Sequence, residues 1–318
     1  MTVAIVGAGA IGGLIGARLA RSGQPVILIA RGAHLAAMSS RGLTVRASDG
    51  EFTVHPEATD DIGAVSRAEV VFITLKAHSL GAVAPAIGAA LGPRAFVVAA
   101  VNGIPWWYFP DRHLESVDPG GVIGRSLPYE QVVGCVVWPS AEIVEPGVIE
   151  HSEGNRLSLG EPNGSRSERV TLLSEMLTVA GFKAPVQTRV RNEVWHKLLG
   201  NATLNPVSAL TRSSLGPMLG SPLGRGLVRT LMEEVAAVAR SLQVELPISI
   251  DKRLEAAASV GGHKTSMLQD LEAGKPLEID ALVGAVVELA AEGGVAVPSL
   301  RAVYGLAKLL DAANRSGA

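Results

Sequence analysis

The chain has few of the residues that several common kinds of site require. Its 318 residues include one cysteine, Cys135, so neither an intrachain disulfide nor a cysteine-based metal site can form. Aromatic residues make up only 4% of the chain. No segment approaches the roughly 18 uninterrupted apolar residues of a membrane span, and the first residues do not resemble a signal peptide. We therefore expect a cytoplasmic protein with no membrane partner.

The charge balance excludes a further class of partner. The formal net charge is −2 and no run of like charges occurs, whereas non-specific binding of nucleic acid needs a basic surface. The histidines show no spacing typical of metal ligands, so we expect no metal at the site. The chain does have abundant apolar side chains, at 47%, and enough length for two domains.

The N-terminal part of the chain alternates short apolar runs with helical patterns. Continuous apolar runs bounded by turn residues are typical of buried parallel strands. They occur at Val3–Val6, Pro25–Ala30, Glu69–Leu75 and Phe96–Val101. A helical pattern over Ile11–Ser22 follows the first of them. This alternation predicts an α/β fold with a Rossmann-type, doubly wound parallel sheet.

Two further groups of strands interrupt this alternation. Leu43–Arg46 and Glu51–His55 predict a hairpin that turns at Asp49-Gly50. Short β-rich pieces within Val132–Leu159 predict antiparallel strands that complete the sheet. A helix is expected over Ser167–Ala180, ahead of a glycine.

From about Arg189 onward the pattern is helical. Apolar residues recur with a spacing near 3.6 in Asn192–Leu204, Leu223–Leu242, Ile248–Ala258, Ile279–Glu292 and Ser299–Ala313. We place the boundary near Gln187-Thr188. The prediction is a sheet-containing domain at residues 1–187 and an all-helical domain at residues 188–318.

A glycine pattern lies where the first predicted strand meets the first predicted helix. Gly7, Gly9 and Gly12 have G-x-G-x-x-G spacing. The first glycine permits a tight turn, the second lets the backbone approach a pyrophosphate, and the third lets the helix pack closely on the strand. The amides of a helix N-terminus, here including Ala10 and Ile11, favour an anion. In this context the motif predicts a dinucleotide-binding site.

The end of the second predicted strand indicates which dinucleotide binds. An NAD site usually has an acidic residue there, but this chain has Ile29-Ala30-Arg31. An arginine can bind a 2′-phosphate and stack on adenine, so Arg31 favours NADP, the alternative being a solvated loop arginine. Lys76 and Asn102-Gly103 follow two later strands. Because ligands bind at the carboxyl ends of parallel strands, we expect both near the cofactor.

A lysine and two asparagines recur every four residues in an otherwise apolar segment. Lys197, Asn201 and Asn205 would share one face of a helix, since four residues make slightly more than one turn. A lysine ammonium can polarise a ketone and protonate the alkoxide that hydride addition forms. The pattern predicts a reductase with Lys197 as its acid, although a lysine on an amphipathic helix is more commonly solvated. Pro206 should stop or kink the helix just after Asn205.

A second polar group precedes the last two predicted helices. Ser266 could hydrogen-bond a substrate carboxylate, and Glu278 could pair with Lys197 or with a ribose hydroxyl. From the residues alone, Ser266 is also a candidate helix N-cap. Glu278 and Asp280 also fit the acidic first turn of a helix.

Together these residues resemble the ketopantoate reductases, also called 2-dehydropantoate 2-reductases. The resemblance spans nearly the whole chain and includes motifs in both predicted domains. The motifs are Gly7-x-Gly9-x-x-Gly12, Arg31, Leu75-Lys76-Ala77, Asn102-Gly103, Pro146-Gly147-Val148-Ile149-Glu150-His151, Trp195-x-Lys197-Leu198 with Asn201 and Asn205, and Ser266-Met267-Leu268-Gln269-Asp270 with Glu278-Ile279-Asp280. The last two are far more specific than the glycine pattern.

The resemblance implies NADPH-dependent reduction of ketopantoate to pantoate, for pantothenate biosynthesis. It implies that Lys197 is the general acid with Glu278 as its partner, and that Lys76 lies by the cofactor. It assigns substrate binding to Asn102, Asn201, Asn205 and Ser266, with Asn102 also beside the cofactor. It further implies a Rossmann domain followed by an all-helical domain like that of 6-phosphogluconate dehydrogenases.

One segment departs from the family's minimal pattern. Residues 104–110 contain an aromatic cluster, which could be a hydrophobic lid, an oligomer contact or a wall for a bulkier substrate. The sequence therefore leaves two alternatives open. One is a reductase of another branched or aromatic 2-oxo acid, and the other is a nicotinamide-binding regulatory protein that has lost catalytic activity. In either reductase the partner is a small 2-oxo acid. The oligomeric state stays open, with a homodimer as one candidate.

Overall fold

The computed structural model describes residues 1–316, which group into two compact units. The first unit contains Met1–Val101, Trp106–His113 and Asp118–Val190. The second contains Asn102–Pro105, Leu114–Val117 and the described residues from Arg191 onward. Two short segments after residue 101 therefore group with the helical unit. Among the described residues, no helix has the combined length and hydropathy of a membrane span.

A parallel sheet forms the centre of the first unit. Within the described chain its strands are β1 (Val3–Val6), β2 (Val26–Ile29), β5 (Glu57–Thr59), β6 (Val70–Ile73), β7 (Phe96–Ala99), β8 (Val132–Val137) and β11 (Leu157–Gly160). They lie in the order β11-β8-β7-β6-β1-β2-β5, and only β11 runs antiparallel to its neighbour. The strands β1, β2, β6 and β7 are buried along their whole length, which is why they read as continuous apolar runs. The predicted Rossmann-type sheet is confirmed.

The remaining strands of the described chain form a second, smaller sheet. They are β3 (Leu43–Ala47), β4 (Gly50–Val54), β9 (Ser140–Glu145) and β10 (Val148–Glu153), in the order β4-β3-β10-β9. The predicted hairpin of β3 and β4 is confirmed. The prediction that all strands of residues 132–159 complete the large sheet is wrong for β9 and β10, since β10 pairs in parallel with β3. Alternation reveals which face of a short strand is buried but not which strand it pairs with.

The helices of the first unit surround these sheets. They are α1 (Ala10–Arg21), α2 (Gly32–Arg41), α3 (Ala77–Ala90), α4 (Val122–Ser126) and α5 (Glu168–Val179). Helix α1 packs against β2 of the large sheet and against β3, β9 and β10 of the small one. The small sheet therefore supports the helix whose N-terminus carries the glycine pattern.

The aromatic segment packs within the first unit. The indole of Trp106 donates a hydrogen bond from Nε1 to the carbonyl oxygen of Leu127 at 3.3 Å. The ring of Trp107 lies against Gly134 of β8, where a Cβ atom would come within 2.6 Å of it. Trp106, Trp107 and Tyr108 are all buried. An exposed lid or oligomer contact therefore does not fit these three side chains.

The second unit is helical throughout its main segment, as predicted. Its helices in the described chain are α6 (Val190–Asn201), α7 (Leu204–Thr211), α8 (Leu215–Gly220), α9 (Pro222–Ser241), α10 (Ile250–Ser259), α11 (Ser266–Glu272), α12 (Ala285–Glu292) and α13 (Pro298–Ser316). A π-helical turn at Asp280–Gly284 leads into α12.

The predicted helix Asn192–Leu204 is interrupted. Helix α6 ends three residues before α7 begins. Pro206 has no amide hydrogen to donate to the carbonyl of Ala202, four residues earlier, so α6 cannot continue through it. Pro206 lies in the first turn of α7, where a backbone N–H would have no acceptor within the helix. A proline is therefore tolerated at this position. The interruption therefore comes before Asn205, and the prediction of one helix face shared by Lys197 and Asn205 is wrong.

Candidate active site

The loop between β1 and α1 has the geometry of a phosphate-binding site. Gly7 adopts a φ of +94°, and Gly9 is the N-cap of α1. The first amides of a helix, here including those of Ala10 and Ile11, have no acceptor within the helix. Together with the helix dipole they attract an anion. The loop therefore fits the pyrophosphate of a dinucleotide.

Close packing fixes the shape of this loop. A Cβ atom at Gly12 would lie 2.3 Å from Oγ1 of Thr74 and 2.4 Å from the carbonyl oxygen of Gly7. The hydroxyl of Thr74 donates a hydrogen bond to that same carbonyl at 2.7 Å. Thr74 follows β6, a strand end that the sequence interpretation used only to predict Lys76. A hydroxyl residue directly after a buried strand is the feature of the sequence that indicates this contact with the glycine loop.

Two cations lie at the same edge of the large sheet as the glycine loop. Strands β2 and β6 pair with β1 in parallel, so the carboxyl ends of all three strands lie side by side. Arg31 follows β2 as the exposed N-cap of α2, and Lys76 follows β6 as the half-buried N-cap of α3. Guanidinium and ammonium groups beside a helix N-terminus suit a ligand with several phosphates.

His34 is a residue of this region that the sequence interpretation missed. Its Nδ1 accepts a hydrogen bond from the backbone amide of Gly147, in the turn between β9 and β10, at 3.0 Å. Burial lowers the pKa of His34, which keeps the ring neutral at pH 7 and its Nδ1 able to accept. The ring thus connects α2, which begins after Arg31, to the small sheet. The Pro146-Gly147 motif therefore has a structural role.

The second unit brings together Lys197, Asn102 and Glu278. The ammonium Nζ of Lys197 donates a hydrogen bond to Oδ1 of Asn102 at 2.7 Å. The amide Nδ2 of Asn102 in turn faces Oε2 of Glu278 at 3.4 Å. Glu278 is 6% exposed, and a carboxylate so deeply buried needs polar partners. Asn102 therefore contacts both Lys197 and Glu278, the two residues predicted to be partners.

The backbone around Asn102 is held against the π-helical turn. The amide of Ile104 donates to the carbonyl oxygen of Ala281 at 3.1 Å. Gly103 adopts a φ of +81°, and a Cβ atom there would lie 2.2 Å from that same oxygen. The π-helical turn begins two residues after Glu278, and such turns are frequent at functional sites. This backbone contact therefore helps to position the side-chain amide of Asn102.

Asn205 and Ser266 form a second polar pair in the same unit. The amide Nδ2 of Asn205 on α7 lies 3.5 Å from Oγ of Ser266 on α11. Thr265, not Ser266, is the N-cap of α11, because its hydroxyl accepts from the amide of Leu268. The N-cap interpretation of Ser266 is therefore wrong. Asn201 is the half-buried last residue of α6, one turn after Lys197.

Asp280 belongs to a different set of contacts. Its carboxylate accepts hydrogen bonds from the hydroxyl of Tyr304 at 2.6 Å and from the ammonium of Lys308 at 2.8 Å, both on α13. Burial and the neighbouring carboxylate raise the pKa of Tyr304. Asp280 therefore anchors the π-helical turn to α13, which fits a structural position better than a catalytic one.

Comparisons with known proteins identify the family of the chain. The family description "Ketopantoate reductase PanE/ApbA" matches residues 3–164, and its C-terminal counterpart matches residues 189–311. A 2-dehydropantoate 2-reductase of Mesorhizobium japonicum is 45% identical over 322 residues, covering 98% of this chain and 98% of that protein.

Solved structures give the same result for the fold. A PanE/ApbA family ketopantoate reductase from Ralstonia eutropha JMP134 superposes with a TM-score of 0.88 at 30% identity, covering 99% of this chain and all of that one. A D-mandelate dehydrogenase, solved with NADH and anilino(oxo)acetate, has a TM-score of 0.86 at 21% identity and covers 99% of both chains. The second likeness concerns the fold alone.

Gly12 offers a test of the dinucleotide site. Gly12→Ala should weaken NADPH binding about 10- to 100-fold, because the added methyl group forces the loop away from Thr74. Fluorescence titration of NADPH measures the affinity. The matched control is Gly81→Ala on α3, where a Cβ atom would meet no heavy atom within 4 Å. Equal affinities for the two variants would contradict the assignment.

Proposed function

We propose that this chain, which belongs to the ketopantoate reductase family, reduces 2-dehydropantoate to pantoate with NADPH, a step of pantothenate biosynthesis. The observation that carries the proposal is the hydrogen-bonded arrangement of Lys197, Asn102 and Glu278. It provides a proton donor on a chain whose other unit has a dinucleotide loop. The name of the relative that is 45% identical favours ketopantoate over another branched or aromatic 2-oxo acid.

The proposal divides the work between two parts of the chain. Residues 1–187 bind NADPH through Gly7, Gly9 and Gly12, the first amides of α1, Arg31 and Lys76. Residues 188–318, together with Asn102, bind the substrate and protonate it. A cytoplasmic location and a homodimeric assembly stay predictions that accompany this activity.

In the reaction, Lys197 acts as the general acid. Bound NADPH supplies the hydride that adds to the carbon of the 2-oxo group. The ammonium of Lys197 donates a hydrogen bond to the carbonyl oxygen and transfers its proton as that oxygen gains negative charge. Proton uptake from solvent then restores the ammonium group. The reaction therefore consumes one 2-oxo acid, one NADPH and one proton.

The neighbours of Lys197 hold it in place for this step. Asn102 accepts one hydrogen bond of the ammonium and limits its orientations. Glu278, which faces the amide nitrogen of Asn102, supplies negative charge that balances the ammonium charge. The polar groups of Asn201, Asn205 and Ser266 are available to the hydroxyl and carboxylate groups of the substrate.

A substrate panel tests the proposed function directly. NADPH oxidation is followed by absorbance with ketopantoate, 2-oxoisovalerate, pyruvate and phenylpyruvate, and kcat/KM is compared. We expect the highest value for ketopantoate. A higher value for another acid would replace the substrate while leaving the reaction type intact. If none of the acids oxidises NADPH, the result would favour a nicotinamide-binding regulatory protein without catalytic activity.

Replacing the general acid should remove chemistry but not cofactor binding. Lys197→Ala should lower kcat by about 100- to 10,000-fold, because the proton donor is lost, while the Kd of NADPH stays near the wild-type value. The control variant is Lys264→Ala, which removes an exposed lysine paired with Glu272 on the surface of the same unit. An unchanged kcat in Lys197→Ala would refute the assignment.

The preference for NADPH over NADH should depend on Arg31. Arg31→Ala removes the charge-assisted hydrogen bonds to the 2′-phosphate and should raise the Kd of NADPH about 10- to 100-fold. NADH lacks that phosphate, so its Kd serves as the internal control and should change little. Parallel titrations of both cofactors measure the effect. Equal weakening of the two would mean that Arg31 does not contact the phosphate.

A further inference from the structure

We propose that Arg253 on α10 is a second cationic group of the substrate site, and that it binds the carboxylate of the 2-oxo acid. This inference rests on the proposed reductase function and deepens it. Neither the glycine loop nor the arrangement around Lys197 includes this residue. Its side chain nevertheless lies against the helix that carries Lys197.

The guanidinium of Arg253 packs on α6 at Gly200. A Cβ atom at Gly200 would lie 2.1 Å from Nη2, 2.9 Å from Cζ and 3.0 Å from Nε of the arginine. Gly200 directly precedes Asn201 and lies three residues after Lys197. Side chains three apart on a helix have Cβ atoms about 5–6 Å from each other. The guanidinium therefore lies on the side of α6 that also carries Lys197, one of the predicted site residues.

Arg253 has no polar partner among residues 1–316. Its Nε is buried without a hydrogen bond, and its guanidinium forms no ion pair with any described residue. Asp251, on the same helix, pairs instead with Arg229 of α9. Burial lowers the pKa of Arg253, as expected for a cation that is desolvated without a counter-charge. The side chain as a whole is half-buried, and only Nε is fully enclosed, so the unpaired guanidinium is held against the protein yet stays accessible to a negatively charged ligand.

The glycine at position 200 fits this close packing of the arginine on α6. Glycine inside a helix is destabilising relative to alanine, so a glycine at a buried position of α6 needs a reason. The approach of the guanidinium supplies it, because any side chain at this position would displace the arginine. The helix is therefore built to keep this cation close to its surface.

A carboxylate is the anion that fits this position. The planar guanidinium matches a carboxylate with two parallel hydrogen bonds. In a 2-oxo acid the carboxylate is bonded directly to the ketone carbon. A substrate whose ketone oxygen lies at Lys197 therefore has its carboxylate close to the same helix, α6. Ser266 can add a neutral hydrogen bond, but Arg253 provides the compensating charge.

The test compares a charged and an uncharged substrate. The acid is ketopantoate, and the neutral counterpart is its lactone, in which the carboxyl group is esterified and carries no charge. In Arg253→Gln we expect kcat/KM for ketopantoate to fall about 10- to 100-fold through a higher KM. The value for the lactone and the Kd of NADPH should stay near those of the wild type. Arg253→Lys, which keeps the charge but loses the planar fork, should retain an intermediate preference for the acid.

Two further variants separate binding from structure. Lys252→Gln removes the same charge from an exposed neighbour on α10 and should leave the acid-to-lactone ratio unchanged. Gly200→Ala keeps the arginine but pushes its guanidinium away from α6. It should lower the acid-to-lactone ratio without lowering the midpoint of thermal unfolding.

The outcomes distinguish this inference from the proposed function. Equal losses for acid and lactone in Arg253→Gln, or an unchanged ratio in Gly200→Ala, would overturn the carboxylate assignment. A weaker affinity for NADPH would overturn it in favour of a cofactor contact. If the wild type reduces another 2-oxo acid and not ketopantoate, the proposed substrate fails. The ratio is then measured with that acid and its methyl ester, which still decides the role of Arg253.

Discussion

The candidate chemistry depends on one neutral amide that lies between an ammonium group and a buried carboxylate. Asn102 accepts from Lys197 through its oxygen and faces Glu278 with its nitrogen. The amide oxygen accepts from the ammonium group and the amide nitrogen faces the carboxylate, so each of the two side chains has a polar partner. The amide owes its position to the Gly103 turn and the carbonyl of Ala281, which makes the backbone contact a condition of the catalytic arrangement.

Close backbone packing has the same function in both units. In the first unit Gly12 brings α1 against the Gly7 carbonyl and the hydroxyl of Thr74, which sets the shape of the anion-binding loop. In the second unit Gly200 brings the guanidinium of Arg253 against α6. In both places a missing side chain positions a polar group accurately. Such positions are invisible to hydrophobic periodicity, because a glycine contributes nothing to an apolar pattern.

The errors of the sequence interpretation have specific physical causes. Strand β10 follows β8 in the chain and has the same short β-rich pattern, yet it pairs with β3 in the small sheet, because the pattern of a short strand does not identify its partner. The polar stripe of Lys197 and Asn201 does lie on one helix, but Asn205 lies in the first turn of the next helix, α7. Pro206 acts on the carbonyl four residues before it, so the helix is interrupted earlier than the proline itself suggests.

The sequence by itself determined the parallel sheet, the glycine loop after β1 and the helical second half, and it singled out Lys197 and Glu278 as candidate site residues. These follow from local rules, namely strand and helix periodicity, glycine spacing and the residue types of specific motifs. Only the tertiary structure decided that Asn102 joins the helical unit and contacts both Lys197 and Glu278, and that Arg253 lies on α6. The physical reason is that these contacts join residues distant in the chain, whose partners are chosen by packing.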